Sequence, residues 1–184
     1  SQQHPASEPL ASVNYLLTLL VEAQDEGLII LPTHRAISGL DDKALKNMWA
    51  SLEQTCELKP APDLAALLIE VQRAEHTFGI YTKEKGPWLL GLKQTEAEAL
   101  PVKLLHKYIL EPALCDACKF GYFKEAEKAC AAVDSGEYQV AFFLRSLRSD
   151  ELIRAALAKE RLPGKSTYFW PKIPAGLVMR SLRS

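Results

Sequence analysis

Two short polar segments hold the residue types that could do chemistry in this chain. The first is Gly164-Lys-Ser-Thr167, which with the nearby Arg161 gathers a guanidinium, an ammonium and two hydroxyls. Such a donor-rich group suits a phosphate or carboxylate. The tetrad invites comparison with the phosphate loop Gly-x-x-x-x-Gly-Lys-Ser/Thr, whose earlier glycine lets successive backbone N–H groups curl around an anion between a strand and a helix. Here Lys159 stands where that glycine belongs, a helical pattern comes before, and Tyr168-Phe-Trp-Pro171 comes after. A nucleotide-cradling loop is therefore rejected. A looser anion site from Arg161, Lys165, Ser166 and Thr167 is expected instead. The second segment is Leu31-Pro-Thr-His-Arg35. Thr33, His34 and Arg35 place a hydroxyl, an imidazole and a guanidinium fork at the end of an apolar run, a set that recognises phosphate or carboxylate. The plainer alternative, which weighs more, pairs Arg35 with a structural acid and lets His34 satisfy a nearby carbonyl.

Other candidates are weaker. Cys115-Asp-Ala-Cys118 has zinc or redox spacing, but Cys130 and His106 sit at unhelpful offsets for a second ligand pair, and no strand precedes Cys115. The pair reads as small apolar fillers in a turn, so neither a metal nor a cofactor is expected. His76 and His106 lie beside apolar positions and read as interior-edge residues. Tyr168, Phe169 and Trp170, interleaved with Lys165 and Lys172, could stack bases. Three aromatics in a row between prolines are more often plugs in a core, and that reading is preferred. No Ser/His/Asp or Cys/His constellation can be assembled from the spacing.

These segments sit on a chain of 184 residues with a net charge of −1, of ordinary globular composition: 48% hydrophobic and 24% charged. Charge is unevenly spread, +6 over residues 145–184 and −7 over residues 1–144. Such asymmetry points to an anionic partner or an internal docking surface. The longest apolar runs fall short of the ~20 residues a spanning helix needs, so no membrane partner is expected and the cytoplasm is the default location. Nucleic acid is an unlikely partner, because the chain is slightly acidic and its basic tail modest. Ser1-Gln-Gln-His-Pro reads as a cloning or cleavage boundary. Residues 1–13 are taken as a flexible leader or such a remnant, and residues 14–184 as one α+β domain, a fragment of a larger protein.

The elements that must position the polar segments follow from periodicity. Asn14–Val21 and Leu28–Leu31 read as strands of a hairpin, ended by Pro32. Asp41 or Asp42 caps a helix bearing Leu45, Met48, Trp49 and Leu52, and Pro62 opens one bearing Leu64, Leu67, Leu68 and Val71. Thr55–Lys59 is a weak strand. His76–Thr82 and Trp88–Lys93 form a second hairpin about a turn at residues 83–87. Pro101 opens a helix, and Phe123, Ala126, Cys130 and Val133 mark another, closed by Ser135-Gly136. Tyr138–Leu144 is the strongest strand signal. Ser149 or Asp150 caps a helix through Ala158, and a last one starts at Pro174. The sum is an α+β fold: a mostly antiparallel sheet with helices packed on one face.

Three segments together resemble a known family: Leu28-Ile-Ile-Leu-Pro-Thr-His-Arg35, Tyr108-Ile-Leu-Glu-Pro112, and Glu160-Arg-Leu-Pro-Gly-Lys-Ser-Thr-Tyr-Phe-Trp-Pro-Lys172. In this order they are similar to the C-terminal portion of a widespread prokaryotic family catalogued as domain of unknown function 1015, over most of the chain from Asn14 to Leu182. Gly164 stands where that family often has a bulkier polar residue. Full members are roughly twice as long, and their N-terminal part carries an Asp-Gly-His-His-Arg signature resembling that of ParB-like and free-serine-kinase proteins. That signature is absent here. The resemblance thus implies that any nucleotide-dependent phosphotransfer belongs to the part this chain lacks. The family has no settled activity. Thr33, His34, Arg35, Arg161, Lys165, Ser166 and Thr167 are then expected to lend phosphate or nucleotide contacts to a cleft shared with the missing N-terminal domain, with no catalytic residue of their own. The alternative is a protein-interaction or homodimerisation module.

Overall fold

The computed structural model describes residues 18, 20–22, 25, 27–94, 99–113 and 117–172. The chain divides into two units, residues 1–29 with 169–184 and residues 30–168. The larger carries a six-stranded sheet in the order β3-β5-β4-β7-β2-β6. Its strands are β2 (His34–Ser38), β3 (Cys56–Pro60), β4 (Thr77–Thr82), β5 (Gly86–Leu92), β6 (Lys119–Phe123) and β7 (Val140–Phe143). Every pairing within it is antiparallel. Two further strands, β1 (Ile29–Leu31) and β8 (Tyr168–Trp170), form a separate two-stranded sheet.

The α+β class and the mostly antiparallel sheet hold. Helices do pack on one face as expected, and they cover the opposite face as well. Alternation along the strands shows how. Ile37, Phe78, Ile80, Leu90, Val140 and Phe142 point to one cluster, which α1 (Asp42–Thr55) enters with Met48 and Leu52 and α5 (Ser149–Leu157) with Ala155. The intervening Ala36, Ala141 and Phe143 point the other way, against Leu67 and Val71 of α2 (Leu64–Arg73) and Ala126, Ala129 and Val133 of α4 (Ala126–Asp134). β7 is buried at all four positions, as strands covered on both faces must be. Each fully buried aromatic or aliphatic side chain there contributes about 1.5–3 kcal/mol.

Local chemistry explains the boundaries. The Asp41 side chain accepts from the Ala44 N–H at 2.7 Å and caps α1. Asp63 does the same for α2 through the Ala66 N–H at 2.8 Å, so Pro62 lies just outside that helix rather than opening it. The second hairpin closes over residues 83–85, with Gly86 supplying the positive φ of +70°. Pro101 opens α3 (Pro101–Leu104), which continues as a π-helix over Leu105–Leu110. The N-cap of α5 is Arg148, whose backbone N–H reaches the Glu151 carboxylate at 2.8 Å.

Several expectations are corrected. Most of the Asn14–Val21 strand lies outside the described residues, and the described Leu20 and Val21 are exposed. β1 pairs with β8. The helix at Pro174 also lies outside the described residues. Phe123 belongs to β6 and not to α4. Phe169 and Trp170, expected as core plugs, are 39% and 50% exposed. Cys118 is disulfide-bonded rather than a packed thiol, and Cys115 lies outside the described residues.

Candidate functional site

Arg35 is the centre of the polar constellation. It does not end a strand, as the sequence suggested; it sits within β2, opposite Tyr122 on one side and Phe142 on the other. Those registers turn its side chain to the face that holds α1 and the π-helix. The guanidinium is 0% exposed. One Nη1 donates to the Thr33 carbonyl, Nη2 donates to the Lys165 carbonyl at 3.3 Å, and Tyr122 lies alongside with its ring centroid 5.8 Å away. Among the described residues no carboxylate pairs with it, and its Nε has no hydrogen-bond partner. The plainer alternative of a structural acid is thus not what the structure contains. Burial, with Tyr122 opposing, lowers the Arg35 pKa to about 10.

The contact between Arg35 and Lys165 brings the two sequence-distant polar segments together. It does so through a backbone carbonyl, while the Lys165 side chain is exposed. Lys165 adopts a left-handed φ of +59°, unusual for a side-chain-bearing residue. The Ser166 hydroxyl turns inward to the Pro163 carbonyl. Thr167 is half-buried and Arg161 is exposed. Thr33 and His34 are buried, but His34 faces away from Arg35 and packs edge-on against Phe143 at 5.2 Å. Burial, then the charge of Arg35, hold the His34 pKa at about 4, so it is neutral. Its Nδ1 has no partner, and the expected carbonyl contact is not made through that atom.

One residue that the sequence reading set aside joins the site. His106, in the π-helix, stacks on Phe120 at 6.2 Å, and Phe120 stacks on Tyr122 at 6.4 Å. Its Nε2 is buried without a partner. Burial, then the Arg35 charge, lower its pKa against an opposing pull from Glu111. A signal existed: Phe120 and Tyr122 alternate around Gly121, which marks a strand. His106 also lines an open groove of about 580 Å³ together with Lys103, Lys107, Glu111, Arg161 and Leu162. Lys103 pairs with Glu160 at its rim. No group of three or more potential metal-ligating side chains gathers among the described residues, and no described helix is long and apolar enough to cross a membrane.

A family model described as "Protein of unknown function (DUF1015)" matches residues 1–108. No curated protein matches. Among solved structures, a conserved hypothetical protein from Pyrococcus furiosus aligns with a TM-score of 0.58 at 18% identity, over 85% of this chain and 62% of its own. A free serine kinase in complex with AMP aligns with a TM-score of 0.56 at 14% identity, over 82% of this chain and 57% of its own. A mutant of that kinase in complex with ADP gives 0.53 at 13%. At these identities the likeness is one of fold. The chain spans about three fifths of the length of the structures it matches.

Proposed function

Since the chain belongs to the DUF1015 family of proteins of unknown function, its role has to be read from its site, and we propose that it supplies anion contacts, for the phosphate of a nucleotide, to a cleft shared with the N-terminal portion of a longer protein. One observation carries this reading: a fully buried arginine with no carboxylate partner among the described residues, whose donors reach the carbonyl of Lys165. Buried charges are ordinarily paired, and one that is not has a free-energy incentive to meet an anion. Arg161 and Lys107 bring positive charge to the groove lined by His106, where Glu111 opposes it and Lys103 is paired with Glu160. The likeness to a kinase fold solved with AMP supports a nucleotide as the anion's carrier. In this reading the chain contributes binding groups and the chemistry lies elsewhere in the cleft.

Calorimetric titration of AMP and of inorganic phosphate into wild type, Arg35→Ala and Lys165→Ala tests this. Arg35→Ala should weaken binding at least about ten-fold, the loss of one charge-assisted hydrogen bond, and Lys165→Ala by less. Unchanged affinity in both variants would sink the shared-cleft reading. A second reading, an interaction or dimerisation module, draws on the exposure of Ile29, Phe169 and Trp170. Light scattering separates the two: a stable dimer that dissociates on Phe169→Ala favours the module.

A further inference from the structure

Arg35 poses a steric question that the anion reading leaves open. Its side chain has no exposed surface, so no anion reaches it unless something moves. What lies against its Nη2 is the carbonyl of Lys165, at the long end of hydrogen-bonding range. The segment that carries this carbonyl, residues 161–167, is held at both ends and light in the middle. Leu162 packs against the main core cluster at one end. At the other, Tyr168 is held by Lys124, whose Nζ lies 4.6 Å from the ring centroid. Between them Gly164 and Lys165 are exposed, and Lys165 is strained into a left-handed conformation. The same segment forms one wall of the groove through Arg161, Leu162 and Pro163, with His106 among the facing residues.

We propose that residues 161–167 form a lid over an anion pocket whose donors are Arg35 and His106, and that a phosphate-bearing anion displaces the lid by taking the Arg35 donor that now holds Lys165. The inference rests on the anion reading above and adds to it a second donor and a built-in competitor. Three facts support it: among the described residues Arg35 Nε and His106 Nε2 both lack partners, and Arg35 Nη2 donates to a carbonyl that an anion can replace. In the tautomer protonated at Nε2, His106 offers a neutral donor to the same anion. A π-helix is a rare conformation, found often at functional sites, and here it presents His106. Lid strain then sets affinity, because only the open fraction of molecules can bind.

Strain supplies the test. Lys165→Gly and Lys165→Ala both remove the ammonium, so charge is equal between them. Glycine accepts the closed lid's positive φ without cost, whereas alanine is strained there by about 1 kcal/mol. The closed lid is therefore firmer in the glycine variant. Titrated with AMP, the alanine variant should bind roughly five-fold more tightly than the glycine variant, and saturating AMP should speed tryptic cleavage after Arg161 in both. Equal affinities, or tighter binding by glycine, overturn the lid while leaving the anion site standing. Absence of binding by wild type and both variants overturns the anion site itself. His106→Phe, which keeps the stack on Phe120, should weaken AMP binding about ten-fold; unchanged affinity removes His106 from the pocket.

Discussion

Arg35→Met distinguishes an arginine kept for a ligand from one kept for the fold. Methionine has a similar reach and no charge. Burial, against the smaller effect of Tyr122, lowers the guanidinium pKa from above 12 to about 10. The sign follows from linkage: a cation whose folded pKa lies below its unfolded one costs stability at every pH under about 10, and the cost is relieved only as pH rises beyond that. At 1.36 kcal/mol per pH unit, a drop of a little over two units is about 3 kcal/mol. Opposing it are two charge-assisted hydrogen bonds to the Thr33 and Lys165 carbonyls, about 3 kcal/mol together at the low end of the range for a charged donor. The contact with the Tyr122 ring adds about 0.5–1 kcal/mol. These nearly cancel, so Arg35→Met should change stability by no more than about 1 kcal/mol in either direction. Removing one partner of a buried ion pair would instead cost about 3–5 kcal/mol. Urea unfolding followed by the fluorescence of the Trp49–Trp88 pair, 6.1 Å apart, reads the difference. Repeating it with AMP at a hundred times the wild-type Kd should stabilise wild type by about 2.7 kcal/mol and Arg35→Met, with a site at least ten-fold weaker, by no more than about 1.4 kcal/mol. A loss of 3 kcal/mol or more in the ligand-free variant would refute the reasoning, since Arg35 would then be holding the fold together.

Three further outcomes are expected. His34, with its pKa held at about 4 by burial and then by Arg35, refuses a proton that the unfolded chain accepts. Its contribution to stability is whole above pH 6.5 and falls by about 3 kcal/mol between pH 6.5 and 4; in His34→Gln that part of the denaturation profile should flatten, and a profile parallel to wild type would count against it. Arg145 and Glu151 form a largely buried pair at 2.5 Å; burial pushes the Glu151 carboxyl up, but the hydrogen bonds from Arg145 and the Arg148 N–H outweigh it and hold it below the usual range. Arg145→Met should cost about 3 kcal/mol in chemical denaturation, and adding Glu151→Leu should recover most of it; no recovery would mean that the packing of Arg145, and not its charge, matters. A Cβ at Gly79 would lie 2.8 Å from Leu67 Cδ2, and Leu67 is itself fully buried. Gly79→Ala should therefore destabilise by about 1–3 kcal/mol, and Gly79→Ala with Leu67→Ala by less than the two single losses combined.

The sequence announced helices better than sheet partners. Asp41 as the cap of α1 and the Leu45–Met48–Trp49–Leu52 spacing were legible because capping and the 3.6-residue repeat are local. β2 was not. His34-Arg-Ala-Ile-Ser38 opens with two polar residues, and what makes it a central strand is the pair of strands on either side, far away in sequence. The importance of Arg35 was visible as a residue type at an apolar border, but its lack of an acid among the described residues was not, since ion pairing depends on tertiary neighbours. His106 was lost for the same reason. Its stack on Phe120 joins a helix whose π turn was not legible to a strand, β6, that was not read at all.

The order β3-β5-β4-β7-β2-β6 also governs how the molecule can be made. β3, β5 and β4 are neighbours in the chain and can pair early, whereas β2 shares no hydrogen bond with any of them. Val140–Phe143 is the strand that hydrogen-bonds to both β4 and β2. At translation rates of about 5–20 residues per second, β2 emerges roughly 5–20 s before β7, the second of its two partners. During that interval Arg35 is solvated and costs nothing. Its charge is fully drawn out of water only later still, once residues 161–167 have followed β7, and a chain truncated before Val140 holds two sheet fragments with no strand in common.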